Sequence, residues 1–275
     1  MQIGNRVFDV KHHTYVMGIM NLTPDSFSDG GQYNQIDQSL KHAERLISEG
    51  ADLLDIGGES TRPGHTQISS DEEINRIAPV IEKIKKEFDI PLSVDTYKSS
   101  VAKVALELGV DMVNDIWGLK YDEKMAGLVA DYKVPVCLMH NRKNTDYKDF
   151  IADALMDLQE SIDLAKEAGI SEDNIIVDPG VGFAKNYEQN LEVIRRLVEY
   201  QSLGYPVLLG TSRKSVIGLT LDLPFAEREE GTLVTTVMAV LAGCAFVRVH
   251  DVKSNVRAIK MTETIKKEKA DGKSG

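Results

Sequence analysis

The feature that most constrains this chain is a regular alternation of short apolar segments with longer helical patterns along its whole length. Eight of these segments are apolar at successive positions, as expected of parallel strands covered by helices on both faces. They are Tyr15–Met20, Asp52–Ile56, Leu92–Val94, Met112–Asn114, Val134–Met139, Ile175–Val177, Val207–Leu209 and Phe246–Val249. An unbroken series of eight strand–helix units predicts a single (β/α)8 TIM barrel. A doubly wound open sheet is the alternative, but no GxGxxG motif follows the first predicted strand.

Two of the intervening helices have clear sequence signals. In one of them, apolar residues recur every three or four positions and form a single helix face: Ile151, Leu155, Leu158, Ile162 and Ala165. Gly169 follows this pattern, where a glycine commonly ends a helix. Ser70 followed by Glu73 matches a capping box and predicts the start of a helix that continues through Ile84.

The chain divides into a barrel with two short terminal segments. Residues 1–14 contain Gly4 and Asn5 between apolar flanks and predict a small hairpin that closes the bottom of the barrel. Residues 15–265 form the predicted barrel, without a linker-like stretch. Residues 266–275 are charged and then rich in glycine and serine, which predicts a mobile tail.

Charge and cysteine usage argue against several classes of partner. Acidic residues outnumber basic ones 43 to 32, for a formal net charge of −11, and no basic stripe suggests nucleic acid. The longest apolar runs are shorter than the roughly 18 residues of a membrane helix, and the N-terminus resembles no signal peptide. Cys137 and Cys244 form neither a disulfide framework nor a CxxC zinc motif, and we expect both to be buried. We therefore expect a cytoplasmic protein without a membrane or nucleic-acid partner.

Polar residues or glycine follow every predicted strand. They are Asn21, Gly57 to Glu59, Asp95, Asn114 with Asp115, His140, Asp178, Thr211 with Ser212, and Arg248 with His250. The carboxyl ends of the strands meet at one mouth of a TIM barrel, where active sites lie. One such residue is more often a helix cap or a turn former, and we interpret Asp115 in this way. Eight together indicate a polar ligand at the mouth, because buried polar groups need partners.

The polar residues at the strand ends also separate by charge. Hydrogen-bond acceptors suited to a flat heterocycle with several N–H donors follow the third, fourth and sixth strands: Asp95, Asn114 and Asp178. Groups suited to a phosphate or pyrophosphate follow the eighth and first strands, which are neighbours in a closed barrel: Arg248, His250 and Asn21, with Arg62 from the second loop. Lys214 follows the seventh strand and lies between the two groups.

Two of the loops after strands are unusually long. Loops 21–31 and 57–66 are rich in Gly, Pro, Ser and Asp and exceed the common length of about 2–6 residues. They are predicted to be mobile lids over the mouth. The first carries Phe27 and Asp29, and the second carries Thr61 and Arg62.

These loops and strand ends resemble the dihydropteroate synthase family. The two most specific signatures are GIMNLTPDSFSDGG at 18–31 and DIGGESTRPG at 55–64. Further segments match in order: SVDTYK at 93–98, VNDIWG at 113–118, LMHNR at 138–142, DPGVGFAK at 178–185, LLGTSRKS at 208–215 and FVRVHDV at 246–252. The resemblance covers about residues 16–252. The chain departs from the family pattern at no motif position, and it resembles the monofunctional form.

The resemblance implies a reaction. In it, 6-hydroxymethyl-7,8-dihydropterin diphosphate loses pyrophosphate, and the amine of 4-aminobenzoate takes its place to give 7,8-dihydropteroate. The resemblance further implies Mg²⁺ as cofactor and a homodimer through the outer barrel helices. An SN1-like path through a stabilised pterin cation is consistent with a good leaving group, a metal and nearby cations.

The resemblance also implies roles for individual residues. The implied pterin contacts are Asp95, Asn114, Asp178, Lys214 and Met139. The implied diphosphate contacts are Thr61, Arg248 and His250, with Asn21 coordinating Mg²⁺ as well. The implied neighbours of the aminobenzoate are Arg62, Phe27, Phe183, Lys185 and Ser215. We expect the catalytic residues to be Asp95, Lys214, Arg62 and Asp29. No nucleophilic serine is expected, because no base arranged as in a catalytic triad is evident for Ser212 or Ser215, and His140 is interpreted as structural.

Two other functions remain open from the sequence. A pterin-binding methyltransferase domain that serves a corrinoid protein would share the barrel and the acidic pocket, but it handles no diphosphate. A non-catalytic pterin-binding barrel would tolerate the loss of a polar residue at a strand end, and none is lost here. Release of pyrophosphate from the substrates distinguishes the synthase from both.

Overall fold

A computed structural model describes residues 1–22, 32–60 and 66–267, without the side chains of 32–34. In this part of the chain the first two strands, β1 (Gln2–Ile3) and β2 (Arg6–Val7), form an antiparallel hairpin. The eight strands that follow are parallel: β3 (Tyr15–Asn21), β4 (Leu53–Gly57), β5 (Leu92–Asp95), β6 (Met112–Asp115), β7 (Val136–Met139), β8 (Ile175–Asp178), β9 (Leu208–Leu209) and β10 (Phe246–Val249).

The parallel strands form the predicted barrel. Their order is β8-β7-β6-β5-β4-β3-β10-β9, so nearly every strand pairs with its neighbour in the chain. A parallel bridge between Val177 and Val207 joins the two ends of this sheet. All eight predicted strands are confirmed, with ends that differ by up to two residues. Strand β7 begins at Val136 and not at Val134, after Pro135, which has no N–H to donate to a neighbouring strand.

Helices connect the strands on the outside of the barrel. They are α1 (Gln32–Ser48), α2 (Ser70–Glu87), α3 (Ser99–Glu107), α4 (Lys124–Tyr132), α5 (Phe150–Glu167), α6 (Tyr187–Arg195), α7 (Ser215–Leu221), α8 (Glu229–Ala242) and α9 (Val252–Lys266). The helix predicted from the apolar pattern at 151–165 is α5, and Gly169 follows it with a φ of +88°. A residue with a side chain would be strained in this left-handed conformation.

The predicted capping box at the start of α2 is wrong by one residue. Ser69, and not Ser70, caps the helix, because its side chain accepts the backbone N–H of Glu72. Glu73 does not fold back onto the cap, since its buried carboxylate pairs with Lys98. A long-range ion pair therefore takes precedence over the local motif.

The two largest apolar clusters among the described residues form the core of the barrel. The larger one lies between the strands and the surrounding helices. The second lies inside the barrel at the amino ends of the strands, where Met17, Leu53 and Phe246 pack against Ile3 and Phe8 of the N-terminal segment. The N-terminal hairpin thus covers the bottom of the barrel, and the opposite end remains for polar side chains. Cys137 and Cys244 are buried, as expected.

Within the described ranges, every helix is too short or too polar to cross a membrane. The predicted tail begins in α9, and its residues 268–275 lie outside the described part of the chain.

Candidate active site at the barrel mouth

The register of the sheet brings the predicted polar residues to one end of the barrel. Asp95 at the end of β5 lies opposite Asn114 in β6, and Asp178 at the end of β8 lies opposite Met139 in β7. Asn21 at the end of β3 lies opposite Gly57. Because all eight strands are parallel, these residues share the carboxyl-terminal mouth.

Arg248 lies among carboxylates at the bottom of the mouth. Its Nε donates to Asp55 Oδ2 at 2.6 Å, and its Nη2 donates to Asp95 Oδ2 at 2.7 Å. Asn114 Nδ2 donates to the same Asp55 oxygen at 3.2 Å. We call Asp55, Asp95, Asn114 and Arg248 the floor cluster. The predicted separation of cations from acceptors is therefore wrong for Arg248, because its long side chain reaches across β3 to the acids of β4 and β5.

The floor cluster contains buried acceptors that lack a partner. Among the described residues, Asp55 Oδ1, Asp95 Oδ1 and the neighbouring Ser93 Oγ have no hydrogen-bond partner. Burial raises the pKa of Asp95 above its ordinary value, although Arg248 acts in the opposite direction. An unsatisfied buried polar group costs about 1–3 kcal/mol. A ligand that donates hydrogen bonds would offset this cost.

Asp178 and Lys214 form a second charged group beside the floor cluster. Asp178 Oδ1 accepts the N–H of Gly180 at 2.7 Å, and Lys214 Nζ donates to the carbonyl of Val181. Burial raises the pKa of Asp178 and lowers the pKa of Lys214 to about 8. A Cβ added at Gly210 would lie 3.6 Å from Asp178 Oδ2 and 3.9 Å from Lys214 Nζ, so the backbone of Gly210 lies beside both charged groups.

An apolar cluster lies beside these charges. Met139, Tyr97 and Ile116 are buried together, with Trp117 and Phe183 packed against them. The Lys214 ammonium lies 4.8 Å from the centre of the Phe183 ring. This juxtaposition of a flat apolar surface with amide and carboxylate acceptors suits a planar heterocycle that carries N–H groups.

Lys185 is directed into the loop after β8 and not toward open space at the mouth. Its ammonium donates to His140 Nδ1 at 2.7 Å and to the carbonyls of Gly180 and Phe183 at 3.0 and 3.1 Å. His140 Nε2 donates to Asp157 at 2.9 Å, and burial lowers the pKa of His140 to about 4. The neutral His140 therefore orients Lys185, which in turn fixes the loop that carries Phe183.

His250 has a partner that was not expected from the sequence. Its Nδ1 lies 2.9 Å from Ser212 Oγ, and the same oxygen accepts the backbone N–H of His250 at 3.1 Å. His250 is thus a base beside Ser212 that was not evident from the sequence. Both contacts are internal to the pair, so we interpret Ser212 as the residue that orients the imidazole. The predicted Ser215 lies nearby, exposed as the first residue of α7.

A buried ion-pair network at the edge of the mouth was missed. Lys98 Nζ donates to Glu59 at 2.5 Å, to Glu73 at 2.8 Å and to the carbonyl of Ile68 at 2.8 Å. Tyr97 also donates to Glu59, at 2.5 Å. Glu59 and Ile68 flank the segment 61–65, so the network fixes the chain on both sides of it. Glu59 and Lys98 do fall in the quoted motifs, but local spacing gave no sign that they pair.

Four predicted residues cannot be placed in the site. Phe27, Asp29, Thr61 and Arg62 lie outside the described residues. Their assignments stay predictions.

Comparison with known proteins gives a consistent result. The family model described as pterin binding enzyme matches residues 17–250. A relative named dihydropteroate synthase from Clostridium beijerinckii is 56% identical over 96% of this chain and 99% of its own length. A crystal structure of dihydropteroate synthase from Clostridium difficile with pteroic acid superimposes with a TM-score of 0.93 at 52% identity, covering 95% of this chain and 100% of the other. One from Xanthomonas albilineans with 4-aminobenzoic acid gives a TM-score of 0.88 at 42% identity, covering 92% and 93%. The chain therefore belongs to the pterin-binding enzymes and, among them, to the dihydropteroate synthases.

Proposed function

We propose that this enzyme condenses 6-hydroxymethyl-7,8-dihydropterin diphosphate with 4-aminobenzoate to form 7,8-dihydropteroate and pyrophosphate. The observation that carries the proposal is the set of buried acceptors at the mouth, in which Asp95 retains an unpartnered oxygen beside Asn114. A reduced pterin presents several N–H donors along one edge and would satisfy such a set. Asp178 completes the acceptor set on β8.

The chemistry follows from the charges around the reacting carbon. The carbon–oxygen bond at the pterin methylene breaks, and its electron pair leaves with the pyrophosphate. The nitrogen lone pair of 4-aminobenzoate then forms the new carbon–nitrogen bond, and the nitrogen releases a proton to solvent. The carboxylate of Asp95 stabilises positive charge that develops on the ring and methylene, while Arg248 and Lys214 favour the departure of the anion.

The residues at the end of β3 fit a magnesium ion shared with the diphosphate. Mg²⁺ usually binds through one or two protein oxygens together with substrate phosphates and water. In the described part of the chain, no three His, Cys, Asp or Glu residues are grouped as a metal site. The amide oxygen of Asn21 suits a site that the diphosphate completes. When bound, the ion would neutralise part of the charge of the leaving group.

The aminobenzoate subsite is proposed to adjoin the loop after β8. Phe183 offers an aromatic face there, and Ser215 offers a hydroxyl at the first turn of α7. The related Xanthomonas enzyme has been crystallised with 4-aminobenzoic acid, which supports this class of second substrate. Lys185 takes part indirectly in this proposal, because its ammonium holds the loop.

We also propose that the enzyme is a homodimer through the outer faces of α8 and α9. Large apolar side chains on these two helices are exposed: Val234, Leu241, Met261 and Ile265. The residues lie one turn or two turns apart on each helix, and α8 packs against α9, so the two helices form one apolar surface. A second copy of the chain would remove this surface from water.

Pyrophosphate release tests the proposed reaction. With both substrates and Mg²⁺, the enzyme should release one pyrophosphate for each dihydropteroate formed. Omission of 4-aminobenzoate should abolish dihydropteroate formation. A methyltransferase domain or a non-catalytic pterin-binding barrel would bind the pterin and form neither product. Binding without either product would therefore contradict the proposal.

A further inference from the structure

Asp55 connects the parts of the floor cluster. It lies inside β4, two residues before the end of the strand, and its exposed fraction is 0%. Its Oδ2 accepts hydrogen bonds from Arg248 Nε and from Asn114 Nδ2. A single carboxylate oxygen thus contacts two of the groups that line the proposed pterin pocket.

The contact with Asp55 fixes the polarity of the Asn114 amide. A carboxylate is an acceptor only, so it can pair with the NH2 group of the amide and not with its oxygen. Arg248, at 2.6 Å, is the cation paired with this buried carboxylate. With Nδ2 directed at Asp55, the amide oxygen of Asn114 faces away from it. Asn114 is therefore an acceptor toward a ligand in the mouth.

The same carboxylate fixes the plane of the Arg248 guanidinium. Nε contacts Asp55 and Nη2 contacts Asp95, so one edge of the planar group faces the two acids. Because the guanidinium is rigid and planar, two contacts on one edge determine where the Nη1 end points. That end is directed away from the acids.

We propose that Asp55 is a positioning residue that sets Asn114 as an acceptor and orients Arg248, and that it thereby selects a ligand with an N–H donor at this edge. The inference rests on the proposed function and adds a specificity-determining residue to it. Asp55 does not need to touch the substrate, because it acts through the two side chains that it holds.

A polarity exchange between positions 55 and 114 tests the inference. In Asp55→Asn, the new amide can present either its oxygen or its NH2 group, so position 55 no longer fixes the polarity of the Asn114 amide. The affinity for 6-hydroxymethylpterin should therefore fall about tenfold or more. In the double variant Asp55→Asn with Asn114→Asp, the new amide donates to the new carboxylate, and position 114 again presents an oxygen to the ligand. The double variant should recover most of the affinity that the single variant loses. A purely structural role of Asp55 would not produce this recovery.

Asp111→Asn is the matched control. Asp111 is a half-buried carboxylate at the bottom of the barrel, where it accepts the backbone N–H of Leu92 and pairs with Lys85. This substitution should lower the thermal unfolding midpoint. It should not change the pterin affinity, which is measured by titration calorimetry on the folded protein. Wild-type affinity in Asp55→Asn, or a double variant that binds no better than the single one, would overturn the inference. A wild-type enzyme that fails to bind the pterin would instead overturn the proposed function.

Discussion

Lys214 makes the binding of an anionic substrate depend on pH in a defined direction. Burial lowers its pKa to about 8, against the pull of Asp178. The side chain is therefore a cation below about pH 8 and neutral above it. We expect the affinity for the pterin diphosphate to fall as pH rises from about 7.5 to 9.5, because the positive charge beside the anion is lost. Calorimetric titration at a series of pH values would measure this.

Lys214→Arg provides the comparison for the pH series. The guanidinium stays protonated over the whole range, so the decline in affinity at high pH should become shallower. An unchanged profile would mean that another group titrates. Such a result would remove the ammonium of Lys214 from the anion site.

Single residues also show where sequence reasoning reached its limit. Asp95, Asn114 and Asp178 were recognisable because each stands at the end of an apolar strand. Asp55 was missed because it lies two residues before the end of β4, in a segment that is otherwise apolar, and its partner Arg248 comes from a strand 193 residues later. The direction of the Lys185 ammonium was equally hidden, since it depends on carbonyls that only the folded loop presents.

The loop between β8 and α6 depends on one glycine. Gly180 has a φ of +70°, and a Cβ at this position would lie 2.0 Å from the carbonyl oxygen of His140. Gly180→Ala must therefore displace the loop that carries Phe183 and donates to Asp178. We expect pterin affinity to fall tenfold or more, because the variant loses about the energy of a hydrogen bond to a charged group. Calorimetry together with circular dichroism would separate this loss from unfolding.

Gly127→Ala is the control for that substitution. Gly127 is exposed in the middle of α4, and nothing lies within 4 Å of an added Cβ. Alanine in a helix interior is more stable than glycine by about 0.5–1 kcal/mol, so this variant should keep full affinity and unfold at a slightly higher temperature. Equal affinities in the two variants would show that the loop after β8 does not form the pocket.

The ion-pair network around Lys98 should matter for stability as well as for the site. Its ammonium and the carboxylates of Glu59 and Glu73 are nearly inaccessible to solvent. Burial acts to lower the pKa of Lys98, but the hydrogen bonds that its ammonium donates to Glu59 and Glu73 raise it. Lys98→Met would leave two buried carboxylates without their cation, at a cost of about 3–5 kcal/mol in the free energy of unfolding. Urea denaturation measures this change.

Lys103→Met is the corresponding surface change. Lys103 and Glu107 form an exposed pair at 3.9 Å on α3, and such pairs contribute about 0–1 kcal/mol. A similar small effect in Lys98→Met would mean that the buried network is not worth more than a surface pair. In that case it could not be the anchor of the chain around residues 61–65.

At the scale of the whole molecule, the barrel could be predicted because its pattern is repetitive and local. Each parallel strand is covered on both faces and is therefore apolar at successive positions, and polar residues or glycine follow each of these runs. The hydrogen bonds across the mouth are different, since they join residues from strands far apart in the chain. Apolar periodicity determines which residues reach the mouth, but it does not determine which of them pair there.

The exposed apolar surface on α8 and α9 makes assembly of the molecule testable by single substitutions. Val234 on α8 is 61% exposed and Met261 on α9 is 63% exposed, within the apolar surface proposed to bind a second copy. Val234→Asp would bury a charge in that interface, which is costly without a partner, so the variant should sediment as a monomer while the wild type sediments as a dimer. Met156→Asp on α5 changes an equally exposed side chain, 64% accessible, outside this surface, and it should remain dimeric. Since α8 and α9 flank β10, which carries Arg248, loss of the dimer should also loosen the floor cluster and lower the pterin affinity of Val234→Asp. A dimeric Val234→Asp variant would place the interface elsewhere, and a monomeric wild type would exclude the dimer.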